Sequence, residues 1–215
     1  MTNVHGMKLD AGYLEQALAA VLESEQLPPI VQAGHPVLRA QALPFTGQLS
    51  AAELARLIEI MTETMRAAPG VGLAAPQIGI PLQLAVLEDQ YEVDADNAAA
   101  RDRMPLELFA ILNPRYTPVG TVLASHYEGC LSMSGWQGVV DRPTTVDLAY
   151  DDELGTVRTR RFTGWQARIV QHETDHLAGM LYIDKAYTRS LAATAEYSAH
   201  WAYPDIAEAR AALKF

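Results

Sequence analysis

Two histidines and a glutamate in one short segment are spaced for metal-assisted hydrolysis. His172 and His176 are four residues apart, and residues four apart share one face of a helix, so both imidazoles can reach a single metal ion. Glu173 follows the first histidine and can move a proton beside that ion. The pattern H-E-x-x-H therefore predicts a metal-dependent hydrolase, provided that the segment is helical.

A catalytic site of this kind needs a third protein ligand and an open position for water. In one class of zinc proteases the third ligand lies farther along the same helix, but Tyr182 occupies that position here. A second class uses a glutamate on a later helix, for which Glu196 is the candidate. The other candidate is the single cysteine, Cys130, which follows a turn-like glycine and would bind a divalent metal as a soft, deprotonated thiolate. The residues alone leave Glu196 and Cys130 open.

Three separated motifs resemble those of the peptide deformylase family. They are GVGLAAPQ at residues 70–77, EGCLS at residues 128–132 and QHETDH at residues 171–176. Their order and spacing match the family, and the resemblance extends over about residues 30 to 186. It includes GHPVLR at residues 34–39 and leaves both termini outside.

The resemblance implies a ligand set and a reaction. Cys130, His172 and His176 would hold one divalent metal ion, with ferrous iron expected first and zinc, nickel or cobalt able to replace it. The enzyme would remove the N-formyl group from the N-terminal methionine of newly made proteins and release formate. Glu173 would take a proton from the attacking water and pass it to the departing amine.

The resemblance also assigns residues that would contact the substrate. The side-chain amide of Gln77 and the backbone N–H of Leu131 would stabilise the negative oxygen that develops on the formyl carbon. Val71, Gly72 and Gly129 would pair with an extended substrate main chain. The expected partners are formyl-methionyl peptides and nascent chains, with a transient ribosome contact, no DNA and no membrane.

Charged residues near the motifs are candidates to support the ligands. Metal-bound imidazoles commonly donate their second N–H to a carboxylate or carbonyl, and the candidates are Glu128, Arg142, Arg168 and Asp175. We expect Glu128 to pair with Arg142. One departure from the family concerns the position near Gln137, where members often carry a basic residue that touches substrate, so the peptide preference is left open.

Two other interpretations remain at this point. One is an H-E-x-x-H metallopeptidase with Glu196 as its third ligand, whose metal content would survive the replacement Cys130→Ser. The other is a catalytically inactive relative that only binds peptides, in which Glu173→Gln would change little.

The elements that must position these residues combine helices with antiparallel strands. Helical spacing predicts that the metal-binding motif lies on a helix over Gly164–Leu177, and a capping box at Ser50 and Glu53 begins another helix that ends before Pro69. Short β-rich runs lie between these helices, at Leu82–Leu87, Thr121–Tyr127, Val139–Val140, Thr145–Tyr150 and Thr156–Phe162. The sequence therefore predicts an α+β fold in which short antiparallel sheets surround a central metal-binding helix.

The predicted organisation is one catalytic domain with two additions. Residues 29–186 form the deformylase-like catalytic domain, residues 1–28 an N-terminal helical extension, and residues 187–215 a C-terminal helical extension with helices around Leu191–Tyr197 and Ile206–Leu213. The acidic, alanine-rich stretch Glu88–Arg103 lacks periodicity and is predicted to be an exposed insertion.

Composition excludes several classes of protein. With 215 residues, of which 49% are hydrophobic and 20% charged, the chain can bury one substantial core and is not intrinsically disordered. A formal net charge of −10 argues against direct binding to nucleic acid. A single cysteine excludes an intrachain disulfide. The sequence shows neither an apolar run long enough to span a bilayer nor a signal-peptide pattern, so we expect a cytoplasmic protein. The sequence does not indicate an oligomeric state.

Overall fold

The computed structural model describes residues 3, 4 and 7–215, with side chains from residue 9 onward. Its helices are α1 (Ala11–Leu22), α2 (Ala51–Ala67), α3 (Ala95–Arg101), α4 (Gly164–Leu177), α5 (Thr194–His200) and α6 (Ala207–Leu213). Its strands are β1 (Asn3–Val4), β2 (Met7–Lys8), β3 (Gly72–Ala74), β4 (Leu84–Asp89), β5 (Leu106–Pro118), β6 (Leu123–Gly129), β7 (Trp136–Pro143), β8 (Thr145–Asp151), β9 (Val157–Thr163) and β10 (Ala192–Ala193). Helices combined with antiparallel sheets make an α+β fold, as the sequence predicted.

Helix α4 is the central element, and its predicted bounds are confirmed. It begins at Gly164, which has a φ of +54°, and a Cβ there would lie 2.3 Å from the carbonyl oxygen of Asp102. Only glycine therefore allows the chain to enter the helix so close to the end of the 88–103 segment. Along the helix, Ala167, Ile169 and Val170 are buried in a core shared with the five-stranded sheet.

That sheet has the strand order β3-β4-β5-β8-β9, with antiparallel pairing throughout. The predicted runs correspond to β4 and β6 to β9, but the sequence analysis did not predict β5, the longest strand described. Asn113 has a φ of +49° and Pro114 follows it, at an irregularity in the register between Leu112 and Arg115. Asparagine followed by proline is a turn signal, so the sequence pattern does not indicate that one strand continues through this bulge.

A three-stranded sheet, ordered β10-β7-β6, carries the cysteine motif at the end of β6. Its edge strand corrects one prediction, because the helix expected from Leu191 begins only at Thr194. Ala192 and Ala193 instead pair with Gln137 and Trp136 of β7. The C-terminal segment therefore adds a strand to this sheet before it becomes helical.

Helices α1 and α2 share a second core with β3 and β4. The capping box predicted for α2 is present, with the Ser50 hydroxyl accepting from the Glu53 N–H and the Glu53 carboxylate accepting from the Ser50 N–H. Leu14 and Leu18 of α1 are buried in this core. The division into residues 1–28, 29–186 and 187–215 stays a prediction, and residues 1, 2, 5 and 6 lie outside the described residues.

The 88–103 segment is only partly the exposed insertion that the sequence predicted. Helix α3 has no buried residue, but the ends of the segment are held. Asp89 is buried and forms an ion pair with Arg103 at 2.7 Å, and the Trp165 N–H donates to the Asp102 carbonyl at 3.2 Å. Separately, no helix within the described ranges combines the length and apolarity that a membrane span requires.

Candidate active site

The structure brings Cys130, His172 and His176 together. One ligand atom from each residue lies within 4.8 Å of the other two, and Cys130 Sγ is 3.2 Å from His176 Nε2. The histidines project from one face of α4, four residues apart, with ring centroids 5.0 Å apart. Cys130 follows the last residue of β6. A helix face and a strand end therefore build the site together.

The donor set fits a divalent transition metal. A thiolate and imidazole nitrogens are ligands that such metals prefer, and three protein ligands leave a position for substrate or water. His172 Nδ1 lies 3.0 Å from Glu128 Oε2, so its Nε2 faces the other ligands. Glu196 is not in this cluster, because its side chain is 67% exposed and lies 3.6 Å from His200.

Glu128 connects the histidine to a buried network of charges. Arg142 donates to both of its oxygens, at 2.6 and 2.9 Å, which confirms the predicted Glu128–Arg142 pair. Burial alone would raise the pKa of Glu128, but the Arg142 guanidinium and the hydrogen bond with His172 hold it well below its ordinary value. Glu128 is therefore a carboxylate that fixes the orientation of the His172 ring.

The network continues behind the metal ligands. Arg142 Nη1 donates to Asp175 at 2.8 Å, and Asp175 also accepts from Lys185 Nζ at 2.6 Å and from the Tyr116 hydroxyl at 3.1 Å. Arg168 donates to Glu128 and to the carbonyl of Val140. The four charged candidates thus form one buried cluster.

Glu173 lies against the backbone of Gly72. A Cβ on Gly72 would be 2.4 Å from Glu173 Oε1, so a glycine is needed for this contact. Glu173 is 4% exposed, and burial, opposed in part by the charge of His172, raises its pKa to about 7. A carboxyl group with this pKa can both take and return a proton near neutral pH.

Gln77 is held with its amide nitrogen directed toward the cysteine. Its Oε1 accepts from the Ala74 N–H at 2.8 Å, while Nε2 lies 3.3 Å from Ser132 Oγ and 3.6 Å from Cys130 Sγ. Gln77 is 1% exposed. The side chain is therefore a preorganised donor beside the ligand cluster. Among the described residues, the Leu131 N–H has no hydrogen-bond acceptor.

These residues open onto one cavity of about 400 Å³. The predicted substrate-contacting residues Val71, Gly72 and Gly129 line it, together with Cys130, Leu131, Gln77, His172 and Glu173. His176 is 1% exposed and does not line the cavity, but its Nε2 lies 3.2 Å from the Sγ of Cys130, which does. A cavity that joins a ligand cluster, a buried carboxyl and a fixed amide can bind and hydrolyse an amide substrate.

The sequence analysis missed residues on two sides of this cavity. Arg101, at the end of α3, lies with its guanidinium 5.0 Å from the Trp165 ring centroid, and both residues line the cavity. Thr194 and Tyr197 of α5 line it as well. None of these residues belongs to a recognised motif, and only contacts between distant segments place them here.

The chain matches known proteins over most of its length. A family model described as Polypeptide deformylase matches residues 27–191. The chain is 51% identical to peptide deformylase 3 of Streptomyces avermitilis over 187 residues, which cover 87% of this chain and 84% of that protein. It is 47% identical to a peptide deformylase of Bifidobacterium adolescentis, over 89% of this chain and 88% of that protein.

Solved structures are similar as well. A peptide deformylase from Synechococcus elongatus in complex with actinonin is 33% identical, with a TM-score of 0.66 over 77% of this chain and 84% of that chain. A class I type b peptide deformylase from Acinetobacter baumannii, bound to Met-Ala-Ser, is 29% identical, with a TM-score of 0.67. That match covers 75% of this chain and 99% of the other.

Proposed function

The chain belongs to the peptide deformylase family, metal-dependent hydrolases that remove the N-formyl group from nascent peptides, and we propose which of its residues carry out that reaction. The observation that carries the proposal is the shared cavity, in which Cys130, His172, Glu173 and Gln77 meet. Each of these residue types matches one chemical need of amide hydrolysis.

Cys130, His172 and His176 are proposed to hold the metal. The resemblance to the family favours ferrous iron, and the same thiolate and imidazole donors suit zinc, nickel or cobalt. When bound, the metal supplies Lewis acidity, which lowers the pKa of water and polarises a carbonyl oxygen. Glu128 holds the His172 ring through Nδ1, so that Nε2 stays available as a ligand.

Glu173 is proposed to move the proton. It takes a proton from the water that attacks the formyl carbon and delivers it to the amine nitrogen as the C–N bond breaks, which leaves formate and a free N-terminus. Burial raises the pKa of this carboxyl group above its ordinary value, which favours the uptake of a proton. Contact with Gly72 fixes the carboxyl group beside the backbone that would bind the substrate.

The Gln77 amide and the Leu131 N–H are proposed to stabilise the negative oxygen on the formyl carbon. Donors fixed before the reaction need no reorganisation in the transition state, and Gln77 is fixed by its bond from Ala74. Val71, Gly72 and Gly129 would pair with the substrate main chain.

The methionine side chain is proposed to lie along α4. Ile169 and Trp165 precede His172 by three and seven residues and line the cavity with it, and residues at these spacings share a helix face. The substrates would be formyl-methionyl peptides and nascent chains, as the bound Met-Ala-Ser in the Acinetobacter baumannii enzyme supports. A transient ribosome contact, the cytoplasmic location and the bacterial origin that the resemblance implies stay predictions, and the oligomeric state stays open.

Formate release from formyl-Met-Ala-Ser by anaerobically purified protein, with the metal content measured on the same sample, tests the proposal. We expect activity with about one metal ion per chain. Cys130→Ser should be metal-poor and inactive, whereas Glu173→Gln should keep the metal and lose activity.

Glu196→Gln is the matched control, because this exposed glutamate lies outside the ligand cluster. It should keep both metal and activity. If Cys130→Ser instead kept its metal while Glu196→Gln lost it, the metallopeptidase interpretation would replace the proposal. A metal-loaded wild type without formate release would favour an inactive peptide-binding relative.

A further inference from the structure

The methionine pocket, which Trp165 and Ile169 line, ends at a charged side chain. These two residues lie on the same face of α4 as the metal ligand His172. At 1.5 Å per residue, the helix rises about 10 Å between Trp165 and His172, so Trp165 lies at the end of the pocket far from the ligands. The guanidinium of Arg101 is 5.0 Å from the Trp165 ring centroid, and Arg101 lines the same cavity. A cation therefore lies where the side chain of a bound methionine would end.

Three arginine side chains lie near the ring of this tryptophan, and two of them are paired with carboxylates. The guanidinium carbons of Arg103 and Arg168 are each 5.8 Å from the ring centroid. Arg103 donates to both oxygens of Asp89, and Arg168 donates to Glu128. The third arginine differs, because the Nε–H of Arg101 is buried and has no acceptor among the described residues.

A buried donor without an acceptor costs free energy, because it has lost its hydrogen bond to water. The Arg101 side chain is half-buried and belongs to the wall of the substrate cavity. A ligand that brings an acceptor oxygen to the end of the methionine pocket can complete this hydrogen bond. The positive charge of the guanidinium makes such a bond stronger than one between neutral groups.

Methionine itself cannot supply that oxygen, since its thioether sulfur is only a weak acceptor. Oxidation converts the thioether to a sulfoxide, which keeps the carbon chain and adds one polar oxygen on the sulfur. The sulfur lies near the end of the side chain, so the added oxygen would lie at the end of the pocket that Arg101 borders. Methionine sulfoxide therefore matches both the length of the pocket and its unpartnered donor.

We propose that Arg101 is a specificity-determining residue through which the enzyme accepts peptides that begin with formyl-methionine sulfoxide. The inference rests on the proposed function and adds a class of substrate to it. Arg101 donates to the sulfoxide oxygen, and the sulfoxide takes no part in the reaction. Water attacks the formyl carbon, the C–N bond breaks, and formate and a free amine are released as with unoxidised methionine.

The test compares formate release from formyl-Met-Ala-Ser, from its sulfoxide with each epimer measured separately, and from the norleucine analogue. Norleucine replaces the sulfur by a methylene group and has no acceptor. For the wild type we expect kcat/KM for the better sulfoxide epimer to be within about tenfold of that for methionine. One hydrogen bond to a charged group offsets most of the cost of moving the polar oxygen out of water.

Arg101→Met should lower kcat/KM for the sulfoxide peptide, relative to the methionine peptide, by about 10- to 100-fold, the loss of one hydrogen bond to a charged group. The norleucine-to-methionine ratio should not change. Because each ratio is measured in one sample, it does not depend on the fraction of the variant that folds. Arg101→Gln keeps a side-chain N–H donor without the charge and should lose less than Arg101→Met.

Arg160→Met is the matched control. Arg160 also lies over an aromatic ring, 4.5 Å from the Phe162 centroid, but it is exposed and does not line the cavity. This variant should keep both wild-type ratios. An unchanged sulfoxide ratio in Arg101→Met would overturn the inference. A loss that the sulfoxide and norleucine peptides share would overturn it as well, because the shape of the pocket and not the acceptor oxygen would then be responsible.

Wild type that releases no formate from any of the three peptides would count against the proposed function alone. The inference would then be tested by calorimetry with the product peptides Met-Ala-Ser and its sulfoxide. Binding of the sulfoxide that is weakened selectively in Arg101→Met would support it, and equal weakening of both peptides would overturn it.

Discussion

Two arginine–carboxylate pairs share a bidentate geometry, but one pair is buried and the other is exposed. Arg142 donates to Glu128 at 2.6 and 2.9 Å, and Arg161 donates to Asp147 at 2.7 and 2.8 Å. The side chains of the first pair are 2% and 4% exposed, and those of the second are 59% and 36% exposed. Their hydrogen bonds are alike, so burial decides what each pair does for the protein.

The buried pair is connected to the chemistry, whereas the exposed pair lies on the outer strands β8 and β9. Glu128 also contacts His172, and Arg142 also contacts Asp175. Removing Arg142 would leave Glu128 and Asp175 in the interior with one counter-ion fewer each, so that only Arg168 and Lys185 remain beside them. The same removal at the surface leaves a charge in water. We therefore expect the two regions to respond very differently to matched substitutions.

The largest effect is expected for Arg142→Met, which should lower the free energy of unfolding by about 3–5 kcal/mol. The reason is that Glu128 and Asp175 would both lose the guanidinium between them. Urea unfolding, with the free energy taken from midpoint and slope, measures the loss.

A conservative variant sharpens this result. Arg142→Lys keeps a positive charge between Glu128 and Asp175 and should lose less stability than Arg142→Met, although an ammonium group cannot form the two parallel hydrogen bonds with Glu128. If Arg142→Met lowered the free energy of unfolding by less than about 1 kcal/mol, burial would not make the two pairs differ in their contribution to stability.

Glu128→Gln should weaken metal binding about 10- to 100-fold. A neutral amide keeps the size of the side chain but loses the negative charge that holds the His172 ring. Competition with a chelator measures the affinity. Asp147→Asn makes the matched change in the exposed pair and should leave metal affinity unchanged. Equal metal affinities in Glu128→Gln and Asp147→Asn would show that the buried pair does not support His172 as a metal ligand.

The buried network also affects a neighbouring histidine. Burial and then the charges of Arg168 and Arg101 lower the pKa of His126 from 6.5 to about 4. Between these pH values the unfolded chain binds a proton at His126 that the folded protein does not. Stability contributed by this group is therefore present above pH 6.5 and lost as the pH falls toward 4.

His126→Gln should accordingly make the free energy of unfolding less dependent on pH between about 6.5 and 4, by up to one proton. Urea unfolding at a series of pH values measures the slope. His200→Gln, at a 59% exposed side chain, is the control and should keep the wild-type slope. A wild-type slope in His126→Gln would mean that His126 titrates alike in both states.

The ligand and proton-transfer candidates could be named from sequence because their signals are local. The helical spacing of His172 and His176 and the motif around Cys130 are each contained in a few residues. The Glu128–Arg142 pair was also expected, since a metal-bound imidazole needs a fixed partner. The α+β class followed from the same local patterns.

Other features depend on contacts between distant segments. Strand β5 was not predicted, and the turn signal of Asn113 followed by Pro114 interrupts the pattern that a strand would show. The Asp175–Lys185 contact and the positions of Arg101 and Tyr197 arise only when separate elements pack together. No periodicity marks such residues, so these contacts and the far walls of the cavity could be found only from the structure.

The smallest effect is expected for Arg161→Met, which should leave the urea midpoint unchanged at about 0.15 M salt, where exposed charges are largely screened. Both side chains of the pair already contact water, so water replaces the hydrogen bond that Asp147 loses in the variant. The Arg161 guanidinium lowers the pKa of Asp147 through that hydrogen bond, and the variant should return this pKa toward its ordinary value, as NMR titration can measure. A midpoint shift as large as that of Arg142→Met would contradict the comparison. Arginine–carboxylate hydrogen bonds of similar geometry would then stabilise the fold equally at the surface and in the interior.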